Sequence, residues 1–227
     1  MPLIIDADGP VAGTLAMPPT WAQMFAAVPN LLGAWTADGL ANGALASWTP
    51  AHGTVPLTQA TAAAQPAVAD FSARKVVSFA VGDRLDLGQA LTSGDPLTIA
   101  MRVYLAALTD NQALFGGNAT WRARWRSTSG GIVIMDTGGT DVNYPVTATG
   151  WYDIVLVQDA AAYTLQVNDG AVMTGTSPGA TITSLSLGAL AANDTTTNWQ
   201  GHMSRIAIAR AALSGDALAT VKSWLKT

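Results

Sequence analysis

The chain contains no cysteine, which removes disulfide frameworks and thiolate chemistry and leaves the redox compartment open. It contains no glutamate either, so all 15 acidic residues are aspartates. Charged residues are scarce, at 11% of 227, and lysine occurs only at Lys75, Lys222 and Lys226. With 49% hydrophobic residues, that balance suits a packed core and excludes a disordered chain. A net charge of -4 and a pI near 4.8 argue against a general nucleic-acid binder, because phosphates call for a positive field. Long apolar runs are missing as well. Those present are broken by Gly, Pro and Asp, so no segment reads as a membrane span. The first cationic side chain is Arg74, and the start of the chain therefore lacks the basic region of a signal peptide.

What is there divides near residue 29. Met1–Pro19 carries Pro2, Pro10, Pro18 and Pro19 among Gly and Asp turns and reads as an extended arm. Trp21, Met24, Phe25 and Val28 then recur at helical spacing, enough for about two amphipathic turns. Too short to be stable alone, this segment needs a partner surface for Trp21 and Phe25. The partner is either the following domain or other proteins of a larger assembly, docked through residues 1–29.

Across residues 30–227 the period is two. In Leu97–Leu105 every odd position is apolar, as a strand with one buried face requires. Trp151–Gln158, Tyr163–Val167 and Ile206–Ile208 alternate in the same way. Turn signals separate them: Gly94-Asp95-Pro96, Ser129-Gly130-Gly131, Gly138-Gly139, Asn168-Asp169-Gly170 and Pro178-Gly179. Many short strands at this spacing predict an all-β sandwich or barrel. Leu97, Ile99, Met101, Val103, Val155, Val157, Ile206 and Ile208 are its expected core. Only the tail departs, with Ser214 able to cap a helix whose Leu218, Val221, Trp224 and Leu225 share a face.

The order of these segments resembles laminin G-like domains of the concanavalin A-like lectin type. Leu31–Trp35 is similar to the family's opening Trp strand, and Val77–Phe79 with Asp83–Gly88 to its Phe-Asp-Gly segment and Leu-rich strand. Leu97–Val103 resembles the Phe-Thr-Ile-Ser-Ala-Trp strand, Gly150–Leu156 the Trp-His-His-Val strand, and Leu165–Gly170 the Tyr-Val-Asn-Gly hairpin. Trp199–Ser214 resembles the closing Ile-Asp-Glu-Val-Arg-Ile stretch. Met101 stands where Trp is common, and Ser204-Arg205 where the family often has Asp-Glu. The resemblance implies an all-β, two-sheet antiparallel jelly-roll sandwich with a short C-terminal helix. It also implies ligands at the loop rim or on the concave sheet, and it raises calcium, which relatives often hold at the rim.

Catalysis is not expected. Glycosidases of this architecture need two positioned carboxylates, and no strand carries two inward Asp at i, i+2 or i, i+4; Asp83 and Asp86 point to opposite faces. The Gly175–Gly179 match to a nucleophile elbow has Pro178 where an oxyanion N–H is required, so it is a turn. His52 is expected to be solvated and His202 to satisfy a local hydrogen bond. Calcium would draw on Asp136, Asp141, Asn143 and Asp194, although Asx-turn chemistry accounts for them equally well. No other cofactor is indicated.

The most informative stretch is Trp121–Arg126. As a strand it sets Trp121, Ala123 and Trp125 on one face and Arg122, Arg124 and Arg126 on the other. Either these arginines pair with cross-strand aspartates such as Asp136 or Asp141, or they form a basic strip for an acidic glycan. Trp48 and Trp199, in loop-like contexts, are either sugar platforms or seals of the core. The resulting expectation is a non-catalytic receptor- or carbohydrate-binding protein whose partner is a cell-surface polysaccharide of acidic type. Its expected setting, by resemblance to fibre and spike proteins, is a homo-oligomer on the surface of a virion or phage-like particle such as a gene transfer agent. A structural decoration or connector protein and a divergent polysaccharide-degrading domain are the alternatives.

Overall fold

A computed structural model describes residues 19–91, 95–108, 111–117, 121–135, 141–159, 162–176, 184–190 and 197–227, with backbone alone at 133–135. Helix α1 (Trp21–Ala26) leads into β1 (Leu31–Thr36), β2 (Gly43–Ala44), β3 (Ser47–Trp48), β4 (His52–Gly53) and β5 (Leu57–Thr58). The hairpin β6 (Ala67–Phe71) and β7 (Arg74–Phe79) follows, then β8 (Leu85–Leu87), β9 (Leu97–Leu105), β10 (Gln112–Gly116) and β11 (Arg122–Arg126). Next come β12 (Gly131–Met135), β13 (Val142–Pro145), β14 (Gly150–Asp159), β15 (Ala162–Val167) and β16 (Met173–Thr176). The chain closes with β17 (Ser186–Leu187), β18 (Gly201–Ala209) and α2 (Gly215–Leu225).

These strands make two antiparallel sheets packed face to face. One runs β16-β15-β14-β9-β18-β7-β6-β2, with β1 beside β18 and β4 beside β1; the other runs β13-β12-β11-β10-β17-β8-β5-β3. Neighbours distant in sequence therefore meet, as a jelly roll requires. Between the sheets lies one continuous core that includes Trp35, Trp48, Trp121, Trp199, Phe115, Ile99 and Met101, all essentially free of solvent contact. The alternation in β9 is borne out, since Leu97, Ile99, Met101, Val103 and Leu105 all join this core. Ile206 and Ile208 join it from β18.

The reading of β14 needs correction. Ile154 and Leu156, not Val155 and Val157, face the sandwich interior. Val155 and Val157 lie on the outer side of the same sheet, in a second cluster with Phe25, Val28, Ala100, Ala207, Val221, Trp224 and Leu225. Helices α1 and α2 cover that part of the sheet, so both faces of β14 are apolar and alternation alone does not say which face is interior.

Thr20 caps α1 through a capping box with Gln23, accepting from Gln23 N at 3.3 Å while its own N–H donates to Gln23 Oε1 at 2.8 Å. Phe25 is buried edge-on against Trp224 (ring centroids 5.3 Å) and stacked on His52 (4.8 Å). The surface that Phe25 was expected to need is thus supplied by α2 and β4 of the same chain, and His52 is half-buried rather than freely solvated. Residues 1–18 lie outside the described residues. Ser214 does stand at the N-cap of α2, but its side chain makes no capping hydrogen bond.

Candidate functional site

Strand β11 shows the alternation expected of it: Trp121, Ala123 and Trp125 are buried, whereas Arg122, Arg124 and Arg126 are half-exposed. Trp121 anchors the inner side by donating from Nε1 to Gln158 Oε1 at 2.6 Å across the core. The arginines consequently share the outer face of the eight-stranded sheet. Register carries this face across the strands. Arg124 is opposite Ala113 on β10 and Val133 on β12, and Val133 is opposite Asn143 on β13. Arg122 belongs to a longer row, Ser47, Thr58, Asp86, Ser186, Gly116, Arg122, each directly opposite the next. Gly116 is required there, because a Cβ would stand 1.9 Å from the Leu190 carbonyl oxygen that rests against it.

The guanidinium groups of Arg122, Arg124 and Arg126 make no ion pair or hydrogen bond among the described residues. The Nε atoms of Arg122 and Arg124 are buried with no partner among the described residues. Burial lowers the pKa of Arg124, and the flanking charges of Arg122 and Arg126 push the same way, while Asp141 opposes them. Asp141 therefore acts on the strip through its field and not through a close pair. Asp136, the other expected partner, lies outside the described residues.

The remaining sequence candidates fare differently. Asp141 and Asn143 border the arginine strip, Asp194 lies outside the described residues with Asp136, and no group of three His, Cys, Asp or Glu able to hold a metal occurs among the described residues. The Asn143 amide donates to the Ser129 carbonyl at 3.2 Å, tying β13 to the turn between β11 and β12, which is not the local bond of an Asx turn. Trp48 and Trp199 are corrected outright. They are 0% and 1% exposed, so neither presents a ring to a ligand, and Trp48 Nε1 donates to the Thr36 carbonyl at 2.9 Å. His202 does satisfy a local hydrogen bond, Nδ1 to Ser78 Oγ at 3.1 Å. Asp86 is engaged by the Ser186 hydroxyl at 2.6 Å and by Arg84 Nε at 3.3 Å. The Gly175–Gly179 match falls partly outside the described residues.

One feature was not foreseen from sequence. On the outer face of the other sheet, Trp151, Tyr104, His202 and Ser78 are direct cross-strand neighbours on β14, β9, β18 and β7. Their side chains are half-buried, and Phe71 joins them. The outward positions of β9 were legible, but the non-local pairing that aligns Tyr104 with Trp151 and His202 was not.

A model of the concanavalin A-like lectin/glucanase superfamily matches residues 79–219. The chain belongs to that superfamily. No curated protein matches this lectin-like chain by sequence. Among solved structures, the sialidase of Trypanosoma rangeli in complex with sialic acid superposes with a TM-score of 0.59 at 13% identity, over 86% of this chain and 33% of that one. Domain 4 of AbnA, a GH43 extracellular arabinanase from Geobacillus stearothermophilus, in complex with arabinotriose, superposes with a TM-score of 0.58 at 14% identity. That match covers 86% of this chain and 97% of the domain. The chain thus spans about a third of the sialidase, and at these identities the likeness is one of fold.

Proposed function

We propose that this lectin-like domain is a non-catalytic glycan-binding module that takes an acidic cell-surface polysaccharide across the outer face of the eight-stranded sheet. One observation carries the reading: Arg122, Arg124 and Arg126 line that face with no counter-ion in contact among the described residues. Three like charges at i, i+2, i+4 repel, and partial burial adds to the cost. Among the described residues they make no ion pair, and a polyanion is what their forked donors suit. A domain of this fold solved with arabinotriose supports sugar as the ligand class. The lack of glutamate, together with the use of Asp86 by Ser186 and Arg84, supports binding without hydrolysis.

The setting follows as part of the same proposal. The Pro-rich residues 1–18 ahead of a lectin-like domain suit an attachment arm, as on the surface of a virion or phage-like particle. Deleting residues 1–18 should then leave the domain folded but not incorporated into its particle or oligomer.

The binding claim is tested by electrophoresis through gels containing alginate or polygalacturonate. Wild type should be retarded, and Arg124→Ala/Arg126→Ala should migrate freely with its melting temperature nearly unchanged. Lower stability with retardation intact would give the arginines a structural role instead.

A further inference from the structure

The uncovered half of the ten-stranded sheet carries a cluster of rings that the core does not use. Helix α2 shields the outward side chains Ala100, Val155 and Ala207, but beyond Arg102 and Asp153 the same face turns aromatic. Tyr104 and Trp151 meet at 5.5 Å, Tyr104 and His202 at 5.7 Å with planes inclined by 27°, and Phe71 lies 4.2 Å from His202 and 4.6 Å from Tyr104. Arg102 sits over the Trp151 ring at 5.7 Å while bonded to Asp153, so the cluster has a charged rim. Neither the Tyr104 hydroxyl nor His202 Nε2 has a hydrogen-bond partner among the described residues, whereas His202 Nδ1 is held by Ser78.

Phe71 reaches this position through an unfavourable turn. It pairs with Arg74 across a two-residue hairpin loop whose Ser72 and Ala73 both have positive φ, 52° and 62°. Asn-Gly would suit such a turn; Ala carries a steric penalty in the left-handed region. The tip is therefore held in strain with an aromatic ring laid across three others.

We infer that Phe71, Tyr104, Trp151 and His202 form a second glycan subsite, on the opposite side of the sandwich from the arginine strip, for an uncharged sugar ring. A pyranose or furanose has a C–H face that packs on aromatic surface and hydroxyl groups around its edge. The Tyr104 hydroxyl and His202 Nε2 are suited to those hydroxyls, and the polar tips of amphipathic rings commonly play this part. A protein partner fits less well. A stable interface buries about 800 Å² on each side, and the large hydrophobic side chains that stand well exposed among the described residues are Val81 and Val172, not members of this cluster.

The test is ¹⁹F NMR on full-length protein labelled with 5-fluorotryptophan, the Trp151 signal being assigned from Trp151→Phe. Cellopentaose, xylopentaose, mannopentaose and arabinopentaose are titrated separately. At least one should shift the Trp151 signal saturably, equally well at low and high salt and in Arg124→Ala/Arg126→Ala, which separates this site from the strip. Tyr104→Ala should weaken that binding by about tenfold or more, a change of ~1.4 kcal/mol, and the milder Phe71→Leu should weaken it measurably. The proposal is overturned if no sugar moves the signal, or if both variants bind as wild type does. A Trp151 signal that instead moves with protein concentration, with a dimer in sedimentation, would assign the patch to a second copy and overturn it equally.

Discussion

At Arg124 burial and two like-charged neighbours act in one direction, and among the described residues the field of Asp141 acts in the other. Replacing that side chain by Met keeps its apolar stem and removes the charge. Arg124→Met should therefore melt at the wild-type temperature or above it. A clear drop in differential scanning calorimetry would show that the guanidinium stabilises the fold. The buried tryptophans behave in the opposite sense. Trp48 and Trp199 belong to the core, so Trp199→Ala should cost about 3–5 kcal/mol in denaturant unfolding. Trp48 lies on the two-residue strand β3 and Trp199 in the connection ahead of β18, and segments this short show no periodicity, which is why their burial was not legible. The imidazoles add a pH dependence. Burial lowers the pKa of both His52 and His202 below the ordinary 6.5. The unfolded chain then binds more protons near and below that value, so the stability these groups contribute is present above it and lost as pH falls through their lowered values. The melting temperature should decline from pH 7.5 toward 5, and less steeply in His202→Gln.

Among the elements, two short ones carry more than their length suggests. Helix α1 has only six residues, yet with Val28 it brings Phe25 onto α2 and His52. Removing residues 1–29 takes away this cover and exposes Trp224, whereas removing 1–18 leaves it in place. The longer deletion should lower the melting temperature by several degrees more than the shorter, and equal values would show that α1 is dispensable. The β6–β7 turn is the second such element. Glycine takes its geometry without the steric penalty, so Ala73→Gly should preserve or raise stability despite the added freedom of the unfolded chain. Destabilisation would mean that the turn is not strained. The spacing Leu218, Val221, Trp224, Leu225 made α2 legible, as did the alternation in β9 and β11. The inner face of β14 was not, because helices make its other face apolar too.

For the molecule as a whole, the sandwich follows from many strands with one or two apolar faces, and family resemblance and structure agree on it. Sequence also specified which face of β11 carries charge, since burying Trp121 and Trp125 leaves the arginines no other side. It could not show what lies beside them, because the neighbours at Ala113, Val133 and Asn143 come from separate strands. In a chain of net charge -4 the positive potential at this face is local, and exposed charges are screened over about 10 Å at 0.1 M salt. The decisive measurement is calorimetric titration of polygalacturonate into wild type and into Arg124→Ala/Arg126→Ala, at about 0.05 M and about 0.3 M salt. Wild-type affinity should fall steeply with salt, and the variant should bind weakly at both. Binding that is equally strong in the variant, or indifferent to salt, would contradict the arginine strip as the glycan site.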